Sequence, residues 1–202
     1  MANNFKNSFA SIVTAGENYQ SVAATSDNHT GPQVVYRAHD GSSDCNSILV
    51  ELDAANTGNA GISVTAFIQD TSATLGTITS ITSSASDVAT VVCASPHGMQ
   101  TGQYVHVTGS SAAYVNGIYK ITVTSATQFT YQQNSAAGAG AAGGTKVIYK
   151  AYHIVKDVPV PANSTLKIVH GQKVVLNGGD KVYAYASAAT CDVIAGILQG
   201  VS

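Results

Sequence analysis

The chain has 202 residues, only 10% of them charged, and a formal net charge of −2. In a typical soluble domain about a quarter of the residues are charged. Because this chain has far fewer, its polar surface must come mainly from Ser, Thr, Asn, Gln and Gly. The near-neutral balance excludes the basic patch that nucleic-acid binding requires. No apolar run reaches the roughly 20 residues of a membrane span. Residues 1–10 lack the apolar core of a signal peptide, so we expect cytosolic synthesis.

Residues 1–20 are predicted to form an N-terminal arm that either extends or adds an edge strand to a sheet. Its apolar positions do not repeat at helical spacing for long enough to indicate a helix. Phe5, Phe9 and Ile12 are the side chains of this arm that we expect to serve as assembly contacts.

Residues 21–75 begin with a turn-rich stretch and then alternate in the manner of β-strands. Strands are predicted at Gln33–His39, Ser47–Asp53 and Ile62–Gln69. The segment from Asn56 to Gly61 has the composition of a turn, so the last two strands are predicted to pair as a hairpin.

Residues 76–134 are predicted to form a separate small β domain, a barrel or a sandwich, inserted into the first pattern. Its five predicted strands are Thr77–Ile81, Val88–Cys93, Tyr104–Thr108, Ile118–Thr124 and Gln128–Tyr131. The Asn116-Gly117 pair predicts a tight turn, because both residues tolerate a positive φ angle.

Residues 135–145 are rich in Gly and Ala and are predicted to be a mobile linker. The first pattern then resumes with a predicted strand at Lys146–Val155 and a stiff corner at Val158–Pro161. Four further strands are predicted, the second pair separated from the first by a turn at Asn177–Asp180: Thr165–Val169, Gln172–Leu176, Lys181–Ala186 and Cys191–Leu198.

The pattern as a whole predicts an all-β protein. Residues 21–75 and 146–202 should form an outer β-sandwich, jelly-roll-like or Ig-like, with the small β domain inserted into one of its hairpins. No segment longer than about ten residues has the apolar spacing of an amphipathic helix.

Three stretches of the outer domain resemble small structural proteins of tailed-phage virions. They are the start Met1–Lys6, the run Val155–Leu166 with its Pro-x-Pro corner, and the run Leu176–Ala189 with its Gly-Asp turn. The resemblance implies a virion β-sandwich and carries structural motifs rather than chemical ones. It departs from the family pattern at Asn163, where those proteins usually have Gly.

The run Ala94–Val105, which contains His-Gly-Met-Gln-Thr-Gly-Gln, is similar to a repeat of phage tail and capsid proteins. A related small β fold, the FCCH-like fold, occurs in part of ubiquitin-activating enzymes. The matching run contains no catalytic motif, so the likeness implies a displayed structural module.

The titratable residues do not form a motif with metal-ligand or catalytic spacing, and we predict neither a metal nor a cofactor. Asp40–Asp44 resembles a fragment of a calcium loop but lacks the downstream Glu.

The three cysteines are expected to be buried thiols. The six histidines are expected to be solvated or hydrogen-bonded: His29, His39, His97, His106, His153 and His170. No Gly-x-Ser-x-Gly elbow is present, and the acids are scattered over turns, so a non-enzymatic protein is expected.

These features favour a capsid decoration protein that docks on the major capsid protein or on neighbouring virion proteins, as a homotrimer, and displays the insert outward. A neck or tail adaptor, or the base of a fibre, is the alternative within the same class. A third interpretation is a carbohydrate-binding module that stacks sugars on Tyr104, Tyr114 and Tyr119 of the insert.

Overall fold

A computed structural model describes residues 4–12, 32–39, 43–133, 140–141, 143–144 and 146–201 of the chain. In these residues the structure is antiparallel β-sheet apart from loops and one 3-10 turn at Ala113–Val115, which confirms the predicted all-β class. The strands are β1 (Asn4–Ile12), β2 (Gln33–Arg37), β3 (Ser47–Asn56), β4 (Ile62–Thr74), β5 (Ile78–Ser83), β6 (Val88–Cys93), β7 (Tyr104–Thr108), β8 (Gly117–Ser125), β9 (Gln128–Gln132), β10 (Gly140–Ala141), β11 (Val147–Val160), β12 (Thr165–Leu176), β13 (Lys181–Ala186) and β14 (Cys191–Gln199).

The described residues form two compact units. Unit 1 comprises those within 1–16, 31–72 and 152–202, and unit 2 comprises those within 73–151. Both boundaries fall inside long strands, because β4 continues to Thr74 and β11 already begins at Val147. Strand β4 therefore continues beyond Gln69, where the predicted strand ended. Independent folding of an inserted domain at 76–134 stays a prediction.

Unit 1 has two antiparallel sheets, with the strand orders β1-β14-β3-β12 and β11-β4-β13-β2. Each sheet turns one row of apolar side chains into a shared core, as the period of two along a strand requires. Leu52 and Val193 enter that core from the first sheet, and Val64 and Val182 enter it from the second. All four side chains are fully buried, which gives the β-sandwich that the sequence predicts.

The hairpin predicted from the Asn56–Gly61 turn is wrong, because β3 and β4 belong to different sheets. The connection between them crosses from one sheet to the other. It is held by the buried Asn56 side chain, whose amide donates to the backbone oxygens of Ala60, Val160 and Pro161. A polar side chain with this many partners can be buried without cost from unmade bonds.

Two predicted breaks around residues 155–176 are absent. Strand β11 runs through Pro159 to Val160, so the predicted corner begins only at Pro161. In unit 1 β11 lies at the edge of its sheet, where a residue without an N–H can be accommodated. The two strands predicted between Thr165 and Leu176 are one strand, β12, with a bulge in which Gly171 takes a φ of 73°.

Unit 2 contains the order β10-β5-β6-β9-β8-β7-β11 around a second core, which includes Ile81, Val91, Ile121 and Phe129. All five strands predicted for the insert are present with similar bounds, and β10 and the first residues of β11 join them.

The predicted Asn116-Gly117 tight turn is wrong. The link from β7 to β8 spans residues 109–116 and includes the 3-10 turn. Asn116 closes this loop with two side-chain bonds to the backbone of Ser110, accepting from its N–H at 3.0 Å and donating to its carbonyl at 2.9 Å.

The predicted linker at 135–145 is described only at residues 140–141 and 143–144. Gly140 and Ala141 pair with Ser83 and Thr82 of β5, and the carbonyl of Gly143 accepts from the N–H of Ser111. Gly140, Ala141 and Gly143 are therefore bonded to other residues of unit 2 and do not behave as a free leash. The rest of the linker lies outside the described residues.

Candidate assembly surface

The sheet β1-β14-β3-β12 turns one face to its own core and the other away from it. We call this second face the outer face. Its strand pairing places side chains in rows that cross all four strands. The first row consists of Phe5, Leu198, Ile48 and Val175, which are direct pairing partners. This row is apolar along its whole length, which is unusual for the solvent side of an antiparallel sheet.

Another row of the outer face begins with a second apolar pair, Phe9 and Ile194. It continues into Asp53 and Lys167. Phe5 and Phe9 are 76% and 68% exposed, Val175 is 69% exposed and Ile194 is 42% exposed. These four are among the most exposed large apolar side chains of the described residues. Contiguous apolar surface of this kind marks an interaction site more often than a free surface.

Charge on the outer face lies mostly on the strands far from β1, and the exception is Asp192 of β14, which accepts from the Ser11 hydroxyl. Glu51 pairs with His170 and Asp53 pairs with Lys167, so two acids of β3 face two basic side chains of β12. Burial and the nearby Glu51 carboxylate raise the pKa of Asp53, while Lys167 and His170 act in the opposite direction. The face thus has a mainly apolar half at β1 and β14 and a charged half at β3 and β12.

The N-terminal arm predicted from the sequence adds an edge strand to this sheet, since β1 pairs with β14 from Asn4 to Ile12. Of its three predicted contact residues, Phe5 and Phe9 lie on the outer face. Ile12 lies on the other side of the strand, is 2% exposed and belongs to the unit 1 core. The assignment of Ile12 as an assembly contact is therefore corrected, because its side chain stabilises the fold. Residues 13–20 of the arm lie outside the described residues.

Sequence reasoning missed Ile48, Val175, Ile194 and Leu198 as members of this surface. A signal for them is present in the chain. The run Val193-Ile-Ala-Gly-Ile-Leu198 is apolar at both odd and even positions. A strand with one wet face alternates, whereas an unbroken apolar run is typical of a strand that is covered on both faces.

The three tyrosines proposed as glycan contacts are not equivalent. Tyr119 is 4% exposed and stacks on Tyr131, with ring centroids 4.3 Å apart. Its hydroxyl donates to the carbonyl oxygens of Tyr114 and Asn116. Its ring has no free face for a sugar, so Tyr119 is removed from the glycan candidates. Tyr104 and Tyr114 are half-buried and keep part of their surface exposed.

Side chains of the His-Gly-Met-Gln-Thr-Gly-Gln run of unit 2 form hydrogen bonds to nearby backbone groups. The Nδ1 atom of His97 accepts from the N–H of Met99 at 3.0 Å, and Nε2 lies 3.1 Å from the carbonyl of Ser125. These partners assign the neutral tautomer with its proton on Nε2.

Other polar residues of the run are engaged in the same way. The Thr101 hydroxyl accepts from the N–H of Val123, and the Gln103 side chain accepts from the N–H of Gln100. Gly102 supplies a φ of 94° where its N–H bonds to the Ile121 carbonyl. These bonds explain the motif by local geometry, without any chemistry on a substrate.

Several titratable side chains outside the outer face have structural positions. In the part of the chain that the structure describes, no three His, Cys, Asp or Glu residues are placed to hold one metal ion. Asp44 of the calcium-loop-like stretch forms an ion pair with Arg37 at 2.8 Å, and residues 40–42 lie outside the described ranges. The thiols of Cys45, Cys93 and Cys191 are buried and unpaired with one another. Burial, with a smaller effect of Asp192, raises the pKa of Cys191 to about 11. No helix within the described ranges has the length and apolarity to span a membrane.

Comparison with known proteins gives little beyond this geometry. No protein-family model matches the chain, and no curated protein matches it. Among solved structures, the chain is similar to part of a phage phi92 endosialidase, with 30% sequence identity and a TM-score of 0.31. The match covers 36% of this chain and 11% of that one. A superposition at that TM-score does not establish a shared fold.

Proposed function

We propose that the chain is a non-catalytic structural protein of a tailed-phage particle that docks through the outer face of unit 1 and displays unit 2. One observation carries the proposal: β14 and β3 turn apolar side chains to both of their faces. The inner side chains build the unit 1 core, whereas the outer side chains Ile48, Ile194 and Leu198 are half-buried or exposed and belong to neither buried core. Burial of apolar surface stabilises by roughly 25 cal/mol per Å², so this outer row would gain from a partner.

The sequence resemblance to virion proteins supplies the class of partner. One of its positions has a structural counterpart: Asn163, where the family usually has Gly, adopts a φ of 53°. Left-handed backbone of this kind favours Gly and, after it, Asn. The departure from the family pattern is thus compatible with the same turn. The partner we propose is the major capsid protein or a neighbouring virion protein.

Within the particle, decoration of the capsid is the position we favour, with the neck or tail as the alternative. Quantitative mass spectrometry of purified virions separates the two positions. A copy number that matches the capsid lattice supports decoration, and one that matches the rotational symmetry of the tail supports the alternative. Absence of the chain from purified virions would refute both.

The docking surface is tested with the double variant Phe5→Ser/Phe9→Ser in a phage that supplies the chain from a plasmid. The variant should fold, because both side chains are largely exposed, yet be lost from purified particles. Val34→Ser is the matched control, since Val34 is 48% exposed on β2 of the same unit and lies off the outer face. Particles that retain the double variant at the level of the control would contradict docking through this face.

Display of unit 2 is tested by removing residues 77–145 and joining the ends with a short turn. The N–H of Leu75 bonds to the carbonyl of Ile148, so the two ends of the deletion lie side by side. The shortened chain should melt cooperatively and still attach to particles. Loss of the cooperative transition would refute the separate insert, and loss of attachment alone would show that unit 2 takes part in docking.

A carbohydrate-binding role is kept as a second candidate because Tyr104 and Tyr114 retain exposed surface on unit 2. Glycan-array binding that is abolished by Tyr104→Ala or Tyr114→Ala would support it. Absence of binding to any glycan would remove it.

A further inference from the structure

Strand β1 is the edge of the sheet that carries the outer face. Within that sheet its one strand neighbour among the described residues is β14, which pairs with it along all nine residues. On its inner side, the Ser8 hydroxyl donates to the carbonyl of Val35 in β2. The opposite edge of β1 therefore presents backbone N–H and C=O groups that are not used in this sheet. Such an edge is a template for a further strand unless charge, proline or a bulge blocks it.

The order of side chains along β1 is self-complementary. The segment Phe5-Lys-Asn-Ser-Phe9 places its two exposed rings symmetrically about Asn7. In an antiparallel pair centred on Asn7, residue 5 of one copy lies opposite residue 9 of the other, and the reverse. Both rings keep the same face of the sheet, because paired residues of antiparallel strands point the same way. Two aromatic cross-strand pairs would form on the outer face, each of a kind that stabilises pairing.

Lys6 selects this register. It is the one charged residue between positions 4 and 10. A two-fold axis at Lys6 would place the two ammonium groups directly opposite each other, which destabilises a pair. With the axis at Asn7, Lys6 lies opposite Ser8 of the other copy, and the two Lys6 side chains are only diagonal neighbours. An axis at Ser8 would place Phe9 opposite Asn7 and lose both aromatic pairs.

We infer that two copies of the chain associate by antiparallel pairing of β1 with β1 about a two-fold axis at Asn7. This inference rests on the proposed function for its purpose, since the contact joins two outer faces into one eight-stranded docking surface with four Phe rings at its centre. An isologous contact of this kind closes on itself and gives a dimer. It takes the place of the homotrimer that was expected from the sequence.

The test introduces a charge at residue 7, on the two-fold axis. Asn7→Lys and Asn7→Asp each place like charges directly opposite each other while leaving Phe5 and Phe9 in place. Light scattering coupled to size exclusion should show wild-type dimers of the 20.6 kDa chain and monomers for each variant at equal concentration. The dissociation constant should rise at least about tenfold for each variant. Mixing the two variants should restore a dimer, which native mass spectrometry identifies as mixed by its mass.

Thr165→Lys serves as the control, because it adds the same charge to an exposed residue of β12, at the opposite edge of the sheet from β1, and it should remain dimeric. Circular dichroism melts of all variants check that they fold. A monomeric or trimeric wild-type chain would overturn the inference, as would variants that stay dimeric or a mixture that stays monomeric. Particle attachment is measured separately. Dimers that fail to attach contradict the proposed function alone, and monomers that attach contradict this inference alone.

Discussion

Thr65 of β4 and Asp157 of β11 form two hydrogen bonds with each other between these neighbouring strands. The backbone N–H of Asp157 donates to the Thr65 hydroxyl at 2.9 Å, and that hydroxyl donates to the Asp157 carboxylate at 3.3 Å. Asp157 lies inside β11 with a φ of 51°, a conformation that costs a non-glycine residue about 1–2 kcal/mol. The reciprocal pair thus holds a strained point of the strand, and Thr65 itself is 1% exposed.

Replacement of that hydroxyl should destabilise unit 1. Thr65→Val keeps the shape of the side chain but leaves the Asp157 N–H without its partner, at a cost of about 1–3 kcal/mol. Urea unfolding followed by circular dichroism measures this change, and tyrosine fluorescence offers a second probe because the chain has no Trp. Thr165→Val, at an exposed site on β12, is the control and should change the free energy of unfolding by less than about 0.5 kcal/mol. Equal effects of the two variants would contradict the role of the pair.

His97 should be a stability residue of unit 2. His97→Ala removes the bonds to Met99 and Ser125 and the edge-on contact with Phe129, whose ring centroid lies 5.3 Å away. We expect a loss of about 2–4 kcal/mol, because two backbone groups lose partners at a mostly buried site. His170→Ala, at an exposed position of β12, should have little effect on unfolding. A His97 variant that melts like wild type, but has lost a binding activity, would show that the motif serves a ligand instead.

The left-handed backbone at residue 163 predicts different results for glycine substitutions at two neighbouring positions. Asn163→Gly should be within about 0.5 kcal/mol of wild type, since Gly adopts a positive φ without strain. Asn163→Ala should lose about 1 kcal/mol. At Ala162, which has no positive φ, substitution by Gly should instead destabilise by about 0.5–1 kcal/mol through the entropy of the unfolded chain. Thermal melts of the three variants measure these differences, and an Ala variant at 163 more stable than the Gly variant would contradict the assigned conformation.

Asp53 should make unit 1 less stable as the pH rises from acidic values. Its pKa is raised in the folded protein by burial and by Glu51, so the folded state binds the proton more tightly than the unfolded state does. The free energy of unfolding therefore falls as pH rises from the ordinary carboxyl pKa through the raised one, and stays lower above it. Asp53→Asn should remove this part of the pH dependence and slightly raise the melting temperature at pH 7. Asp192→Asn, at an exposed acid of β14, is the control, and a pH profile unchanged by Asp53→Asn would refute the assignment.

The strands that could be predicted from sequence are those whose alternation and turns agree. Strands β6, β7 and β13 have the predicted bounds, because each has a short apolar pattern between clear turn residues. Prediction failed where one residue type has two structural uses. Gly171 was interpreted as the end of a strand and is the positive-φ residue of a bulge. Pro159 was interpreted as a corner and lies within an edge strand.

The candidate surface was predictable only in part. Phe5 and Phe9 stand out because they are the aromatic residues of a mostly polar segment. The other members depend on which strands become neighbours, and the pairing of residue 5 with 198, or of 48 with 175, cannot be obtained from local pattern. The same holds for Ile12 and Tyr119, whose burial is decided by distant strands.

The hydrogen bond between Leu75 and Ile148 has a consequence for how such a chain could change over generations. Everything between these two residues leaves and returns at one point, so a replacement needs only two adjacent chain ends to fit. The entropy of closing a longer loop at that point grows slowly with its length. Recombination could therefore exchange the residues between Leu75 and Ile148 while this hydrogen bond and the strands on either side of it were kept.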